Sequence, residues 1–262
     1  MSEGSWSWAS AGDALAAVRE ALQRGDVEAA RERLTQAWRL WPRHPSLSEW
    51  ALQLHPAWER PCEGRNVCLR PIRPDDANCP AAWLGNADFM ARFHPMARSN
   101  LSRAAIERAA RIGGHGMALH RAQHWLALRS DARPFALLSL VDLVLVHRRA
   151  ELLAGIPSGR DRGGPVGLAA LLCLLDLCFN RVGLHKLTAL VLIDNAASHR
   201  SLNALGFEQE GLRREHFRDP ASGRFVDCLD FGLTVTRFRR LDRLASLSRR
   251  WLGRDIAQPP SV

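Results

Sequence analysis

The chain contains no tyrosine and a single lysine, Lys186, among its 262 residues. Without tyrosine no phenol can serve as a catalytic acid, and any such role would fall to another group or go unfilled. With one lysine, the formal charge of +9 rests almost wholly on arginine. The six cysteines, at 62, 68, 79, 173, 178 and 228, form no CxxC spacing and no regular framework. That argues against a disulfide scaffold or a zinc ribbon and for free thiols in a reducing cytosol. The start, Met1 to Trp6, lacks the basic and apolar regions of a signal peptide. The longest apolar runs, 134–146 and 165–179, read as too short for a bilayer, and each contains an aspartate. A cytoplasmic protein is expected. No metal, nucleotide-triphosphate or flavin motif occurs.

What is present is ordinary for a globular chain, 47% hydrophobic and 24% charged. The length suits one core plus an appendage. Residues 1–60 hold 7 basic and 8 acidic side chains, so the rest carries +10. Such a balance favours acidic partners: phosphates, an acidic carrier protein or nucleic acid, the last resting on charge alone.

Residues 1–55 read as a helical region. Ser10–Arg24 and Val27–Leu40 are rich in alanine and leucine, with a break at Gly25-Asp26 where Asp26 can cap the second helix. A third short helix follows through Leu54. The spacing of small residues, Gly-Asp and Trp-Pro resembles about one and a half tetratricopeptide repeats, too few to bury both faces alone. Six of the nine tryptophans, at 6, 8, 38, 41, 50 and 58, crowd here. They fit either docking onto the rest of the chain or a peptide- or carrier-docking surface. Residues 56–65, with Pro56, Pro61 and Gly64, read as a linker.

From Asn66 to 236 strands and helices alternate. Strands are expected at Val67–Ile72, His124–Arg129, Phe135–Val141, Arg149–Ile156, Lys186–Ile193, Phe207–Phe217 and Phe225–Leu233. Helices are expected near 80–92, 102–112, 165–181 and 196–205. Antiparallel strands followed by a βαβ crossover predict an α/β (α+β) domain with a mixed, mostly antiparallel sheet of six to seven strands flanked by helices. Residues 237–262 read as a basic C-terminal helix and tail, with seven arginines among residues 237–254.

The most specific stretch runs from Arg160 to Phe207. Arg160-Asp161-Arg162-Gly163-Gly164-Pro165-Val166-Gly167 is a basic, glycine-bearing loop that opens a helix. Such a loop brings backbone N–H groups, a helix dipole and two guanidiniums to bear on a phosphate. After it come Gly183-Leu184-His185-Lys186-Leu187 and then Asn195-Ala196-Ala197-Ser198, leading through Leu202 to Leu205-Gly206-Phe207. Over about 66–234 the chain resembles the GNAT acyltransferase superfamily, and within it the branch that acetylates ribosomal-protein N-termini.

The resemblance implies the GNAT fold and an N-acyltransferase moving an acetyl or longer acyl group from acetyl-CoA, or another acyl-CoA, to a primary amine. It implies that Arg160, Arg162, Gly163, Gly164, Val166 and Gly167 hold the coenzyme A diphosphate. Asn195 and Ser198 would meet the pantetheine arm and the leaving thiolate, while backbone near Leu153 and Ala154 would face the oxyanion. Asn195 also suits a plain helix cap. In Arg149-Ala150-Glu151-Leu152 the resemblance points to Glu151 as general base, with Asp142 as a second candidate. Arg214 and Asp227 are expected to pair beside the acceptor pocket. His124, His147 and His216 do not make a metal site by spacing.

Two departures leave alternatives open. The family's second loop glycine falls at Pro165, which has no N–H to offer. Its usual tyrosine falls at Leu202. An acyl-carrier protein, whose phosphopantetheine bears a single phosphate, would miss the lost donor less than CoA would. A non-catalytic binding module is the third reading.

Overall fold

The computed structural model describes residues 8–93, 103–159, 162, 164–219 and 222–258. Helix α1 (Ala11–Gln23) begins where the Ser10 hydroxyl accepts the Asp13 N–H at 3.2 Å. Helix α2 (Val27–Leu40) begins where the Asp26 carboxylate accepts the Ala29 N–H at 2.9 Å, the cap expected from the sequence. Helix α3 (Pro45–Gln53) opens on a proline, whose missing N–H would go unbonded in a first turn anyway. Together they bury Leu15, Val18, Leu34 and Leu47 in a small core of their own.

Residues 56–65, expected as a linker, are folded into the main domain. They form a 3-10 turn (Pro56–Glu59) and strand β1 (Cys62–Glu63), and Trp58 and Cys62 are buried in the principal core. Strand β2 (Val67–Pro71) follows. The single helix expected near 80–92 is two, α4 (Asn78–Leu84) and α5 (Ala87–Phe93). Asn86 divides them, because its side-chain oxygen accepts the Phe89 N–H at 2.9 Å and so starts a new helix.

Then come α6 (Arg103–Ile112), α7 (Gly116–His120), β3 (Gln123–Arg129), β4 (Pro134–Val144) and β5 (Arg149–Gly155). The second half holds α8 (Pro165–Asp176), which continues as a π-helical turn (Leu177–Val182), then β6 (Lys186–Leu192), α9 (Ala196–Ala204), β7 (Glu208–Arg218) and β8 (Phe225–Thr234). The basic tail is two helices rather than one. Extended backbone at Leu241 separates α10 (Val235–Arg240) from α11 (Asp242–Leu252).

The sheet has eight strands in the order β1-β2-β3-β4-β5-β6-β8-β7. The strand beyond the expected seven is the two-residue β1. Only the β5–β6 pair is parallel, as the crossover through α8 requires. Segment Pro165–Val182 is long and apolar enough to cross a membrane, more than the run 165–179 suggested, with a mean hydropathy of 1.6. It is 72% buried and packs as the central helix on one face of the sheet. The opposite face is covered over β2–β5 by α4–α6, through Ile72, Phe89, Phe93, Leu126, Leu137 and Leu153. The helical N-terminal region is seated on the domain at α7. Ala118 joins its core, and the Gln53 amide donates to the Ala118 carbonyl at 2.9 Å.

A charged cluster ties three distant segments together. The buried Asp176 carboxylate accepts from Asn180 at 2.7 Å, Arg254 at 2.9 Å and Arg181 at 3.3 Å. Both arginines also reach the Cys62 sulfur at 3.3 Å. The chain before β2, the end of α8 and the C-terminal tail are thereby fastened at one point.

Candidate active site

The site is made by two strands that stop pairing. β5 and β6 share three rungs, Arg149 with Lys186, Ala150 with Leu187 and Glu151 with Thr188, and no more. Beyond Glu151, β5 stays laddered to β4 through Leu152, Leu153, Ala154 and Gly155. Over the same stretch β6 stays laddered to β8 through Leu192. The β5 edge that faced β6 therefore presents unpaired backbone groups to a cleft, a place for N–H donors to meet a developing oxyanion.

A cavity of about 150 Å³ fills that opening. Leu152 to Ile156 of β5 form one wall and Ala189 to Val191 of β6 the other. Leu171 of α8, the first turns of α9 and Phe89, Arg92 and Phe93 of α5 complete it. Among the residues named from the sequence, Leu153, Ala154, Arg162, Asn195 and Ser198 all line this cleft. Asn195 does so while capping α9, its side-chain oxygen accepting the Ser198 N–H at 3.3 Å. The Ser198 hydroxyl has no hydrogen-bond partner among the described residues. Leu202, where the resemblance places the family's usual tyrosine, is buried and lines the cleft with an apolar side chain.

The expected phosphate loop is placed in part. Arg160 and Gly163 lie outside the described residues. Gly164 precedes α8 at its N-terminus with Pro165 in the first turn. Val166 packs partly against the core and Gly167 is buried, so both stand in the helix rather than in the cleft wall. Arg162 lines the cleft but turns its guanidinium to its own main chain, donating from Nε to Ile156 O at 2.9 Å and from Nη2 to Pro157 O at 3.1 Å.

Glu151 opens on a second, polar pocket with Arg149, Lys186, Thr188, Glu210, Arg213 and Asp230, and the two pockets meet at Leu190. Lys186 Nζ donates to Glu210 at 2.7 Å, and Arg213 grips Asp230 with Nε at 2.8 Å and Nη2 at 2.6 Å. These pairs engage Lys186 and Arg213 and leave Glu151 without a salt-bridge partner among the described residues. Burial pushes the Glu151 carboxyl above its ordinary range. The Asp142 charge adds to this, Arg213 offsets it, Asp230 raises it further and Arg149 lowers it.

The expected pair of Arg214 and Asp227 does not form. A bulge between Gln209 and Gly211 sets the register in which Arg213 takes Asp230, and a second irregularity between Arg213 and Phe217 leaves Asp227 accepting the Glu215 N–H at 2.7 Å. Of the histidines, His124 bonds the Ser139 hydroxyl at 2.6 Å on the sheet face that carries Leu153. No group of three or more histidine, cysteine or carboxylate ligands assembles among the described residues. Sequence reasoning placed a helix near 80–92 but did not mark it as part of the site. Nothing in its pattern sets Phe89, Arg92 and Phe93 apart from any amphipathic helix, and only packing against Gly155 brings them to the cleft.

Residues 66–208 match the family profile described as "Acetyltransferase (GNAT) domain". That is more than half of the chain, and the chain belongs to the GNAT acetyltransferase family. The Bacillus subtilis protein YoaA, described as an uncharacterized N-acetyltransferase, is 28% identical over 158 residues, 59% of this chain and 86% of the relative. In fold the chain is similar to spermidine N-acetyltransferase from Vibrio cholerae, solved with CoA and spermine, at a TM-score of 0.58 and 19% identity, over 66% of this chain and 97% of that one. It is likewise similar to Mycobacterium smegmatis RimJ, solved with CoA-disulfide, at 0.56 and 24%, over 74% and 98%. At these identities the likeness is one of fold. The protein is an acetyltransferase of the GNAT class.

Proposed function

We propose that the protein transfers an acetyl group from acetyl-CoA to a primary amine by direct attack, without a covalent enzyme intermediate. The parting of β5 and β6 after the Glu151–Thr188 rung carries this reading. The thioester arm enters from the Ser198 side, and the amine arrives from the pocket on which Glu151 opens. The amine nitrogen bonds to the thioester carbon while backbone N–H groups near Leu153 and Ala154 hold the oxyanion. Glu151 takes the proton from nitrogen, directly or through a water. The carbon–sulfur bond then breaks, and the thiolate takes a proton from Ser198 or leaves unassisted, its pKa being near ~8.5.

Among amines we favour a peptide or protein N-terminus, as in the ribosomal-protein branch. Support comes from the run Asn195 to Phe207, from the fold likeness to RimJ, and from the tetratricopeptide-like helices α1 and α2 beside the domain. A polyamine, the substrate in the name of the Vibrio relative, is the alternative acceptor. We place the reaction in the cytoplasm, where six unpaired thiols are at home.

The test is release of free thiol from acetyl-CoA with a panel of N-terminal peptides, polyamines and aminosugars, alongside calorimetry with CoA. Turnover with one class names the acceptor. CoA binding without turnover favours the non-catalytic module, and full dependence on added acyl-carrier protein would replace CoA as donor. Failure to bind CoA or to release thiol would sink the proposal.

A further inference from the structure

Arg92 belongs to a helix no motif singled out, yet it lines the same cleft as Ala154, Ile156 and Arg162. Its helix is firmly seated. Phe89 and Phe93 stack at 5.2 Å and press on Gly155 so closely that a Cβ there would overlap the Phe89 ring. The Arg92 side chain is exposed and has no hydrogen bond or ion pair with any other described residue.

Among the described residues that line this cleft, Arg162 is the other cation. Arg162 is committed to the carbonyls of Ile156 and Pro157. An anionic ligand end at the β5 end of the cleft thus meets one engaged guanidinium and one with no partner among the described residues. A guanidinium presents a planar fork of donors matched to phosphate oxygens. The pocket around Glu151 does not include Arg92, so Arg92 and the acceptor amine are served by different cavities.

We infer that Arg92 is a donor-positioning residue, binding a phosphate oxygen of acyl-CoA from the α5 side of the cleft. The inference rests on the CoA-donor reading above. It divides the substrate into two ends: α8 and Arg92 hold the phosphorylated end, while β5 and α9 hold the thioester.

Steady-state kinetics of R92Q test it, with acetyl-CoA and with acetyl-pantetheine, which has the thioester arm but no diphosphate. The KM for acetyl-CoA should rise about tenfold or more, the value of one charge-assisted hydrogen bond. The acceptor KM and the saturated kcat should stay within about twofold of wild type, and R92Q and wild type should match on acetyl-pantetheine. R92K keeps the charge without the fork and should fall between them, which guards against a folding defect in R92Q.

An unchanged acetyl-CoA KM, an equal rise with acetyl-pantetheine, or a rise confined to the acceptor KM would overturn the role. Wild-type protein that neither binds CoA nor turns over would defeat the donor reading itself. Wild-type activity with an indifferent R92Q defeats Arg92 alone.

Discussion

Asp142 and Glu151 are brought together by a bulge in β4. Val141 pairs with Glu151, and the register then slips before Val144. Asp142 takes a left-handed backbone conformation there, φ +51°, which aspartate tolerates better than most residues. The bulge turns an exposed carboxylate towards the half-buried one. Sequence reasoning had set the two as rival bases. In the fold, Asp142 acts on Glu151 through its charge, second only to burial in raising the Glu151 carboxyl.

That relationship predicts a pH profile. A base must be deprotonated to work, so kcat/KM should fall as pH drops through the raised Glu151 value, above the ordinary glutamate range. Asp142→Asn removes a neighbouring negative charge and should move this acid limb to lower pH with turnover kept. Arg213→Gln removes a favourable positive charge and should move it up. Glu151→Gln should lower kcat about 10²- to 10³-fold with little change in thermal midpoint. Measuring kcat/KM from pH 5 to 9 for the four proteins checks all of this, and a limb that ignores both neighbours would refute the coupling.

Asn195 caps a helix and lines the cleft, and two substitutions separate these roles. Asn195→Ala should cost about 1 kcal/mol of stability through the lost cap and raise the KM for acetyl-CoA. Asn195→Asp keeps an acceptor for the Ser198 N–H and should restore stability without restoring donor affinity. Ser198→Ala should fold normally. A kcat about tenfold lower would assign it the thiolate proton, whereas an unaltered kcat would mean unassisted departure. Denaturant melts paired with donor titrations read both effects.

Asp176 sets an acid limit on the fold. Burial alone would raise its carboxyl, but hydrogen bonds from Asn180 and Arg254 and the charges of Arg254 and Arg181 outweigh burial and hold it below its ordinary value. The folded state therefore binds this proton more weakly than the unfolded chain does. The stabilisation is complete above the unfolded aspartate pKa, about 4, and is lost as pH falls through the lower folded value. Asp176→Asn should cost about 2 to 3 kcal/mol at pH 7, a discounted figure because both arginines are a third or so exposed. It should also flatten the acid dependence, as urea melts at pH 7 and near pH 2 would show.

Gly155→Ala probes how closely α5 sits on β5. Its new methyl must displace Phe89 and Phe93, a strain of about 1 to 3 kcal/mol. Because Arg92 rides on the same helix, the KM for acetyl-CoA should rise further than the stability loss alone explains. Calorimetric scanning and a CoA titration on one preparation would separate the two effects.

Local chemistry was legible in the sequence wherever a residue acts on its own backbone. Asp26 and Asn195 cap the helices that follow them, and Gly206, at φ +88°, closes α9 just before β7 as the Leu205-Gly206-Phe207 run implied. Partnerships between distant strands were not legible in that way. Arg213 rather than Arg214 meets Asp230 of β8 because the one-residue bulge between Gln209 and Gly211 decides which side chain faces it. The stretch 56–65 looked like a linker because its prolines and glycine break local structure. Its Trp58 and Cys62 are nevertheless held by the core and by arginines more than a hundred residues away.

The order of elements, the basic loop before α8 and the presence of Glu151, Asn195 and Ser198 were set by the chain alone, since periodicity, caps and turns depend on near neighbours. Where β5 and β6 separate, which carboxylate stands beside which, and that α5 presents Arg92 to the cleft were decided only by tertiary packing. Those outcomes depend on register and on the volume of side chains such as Phe89 and Phe93, which meet their partners only once the sheet has closed around α8.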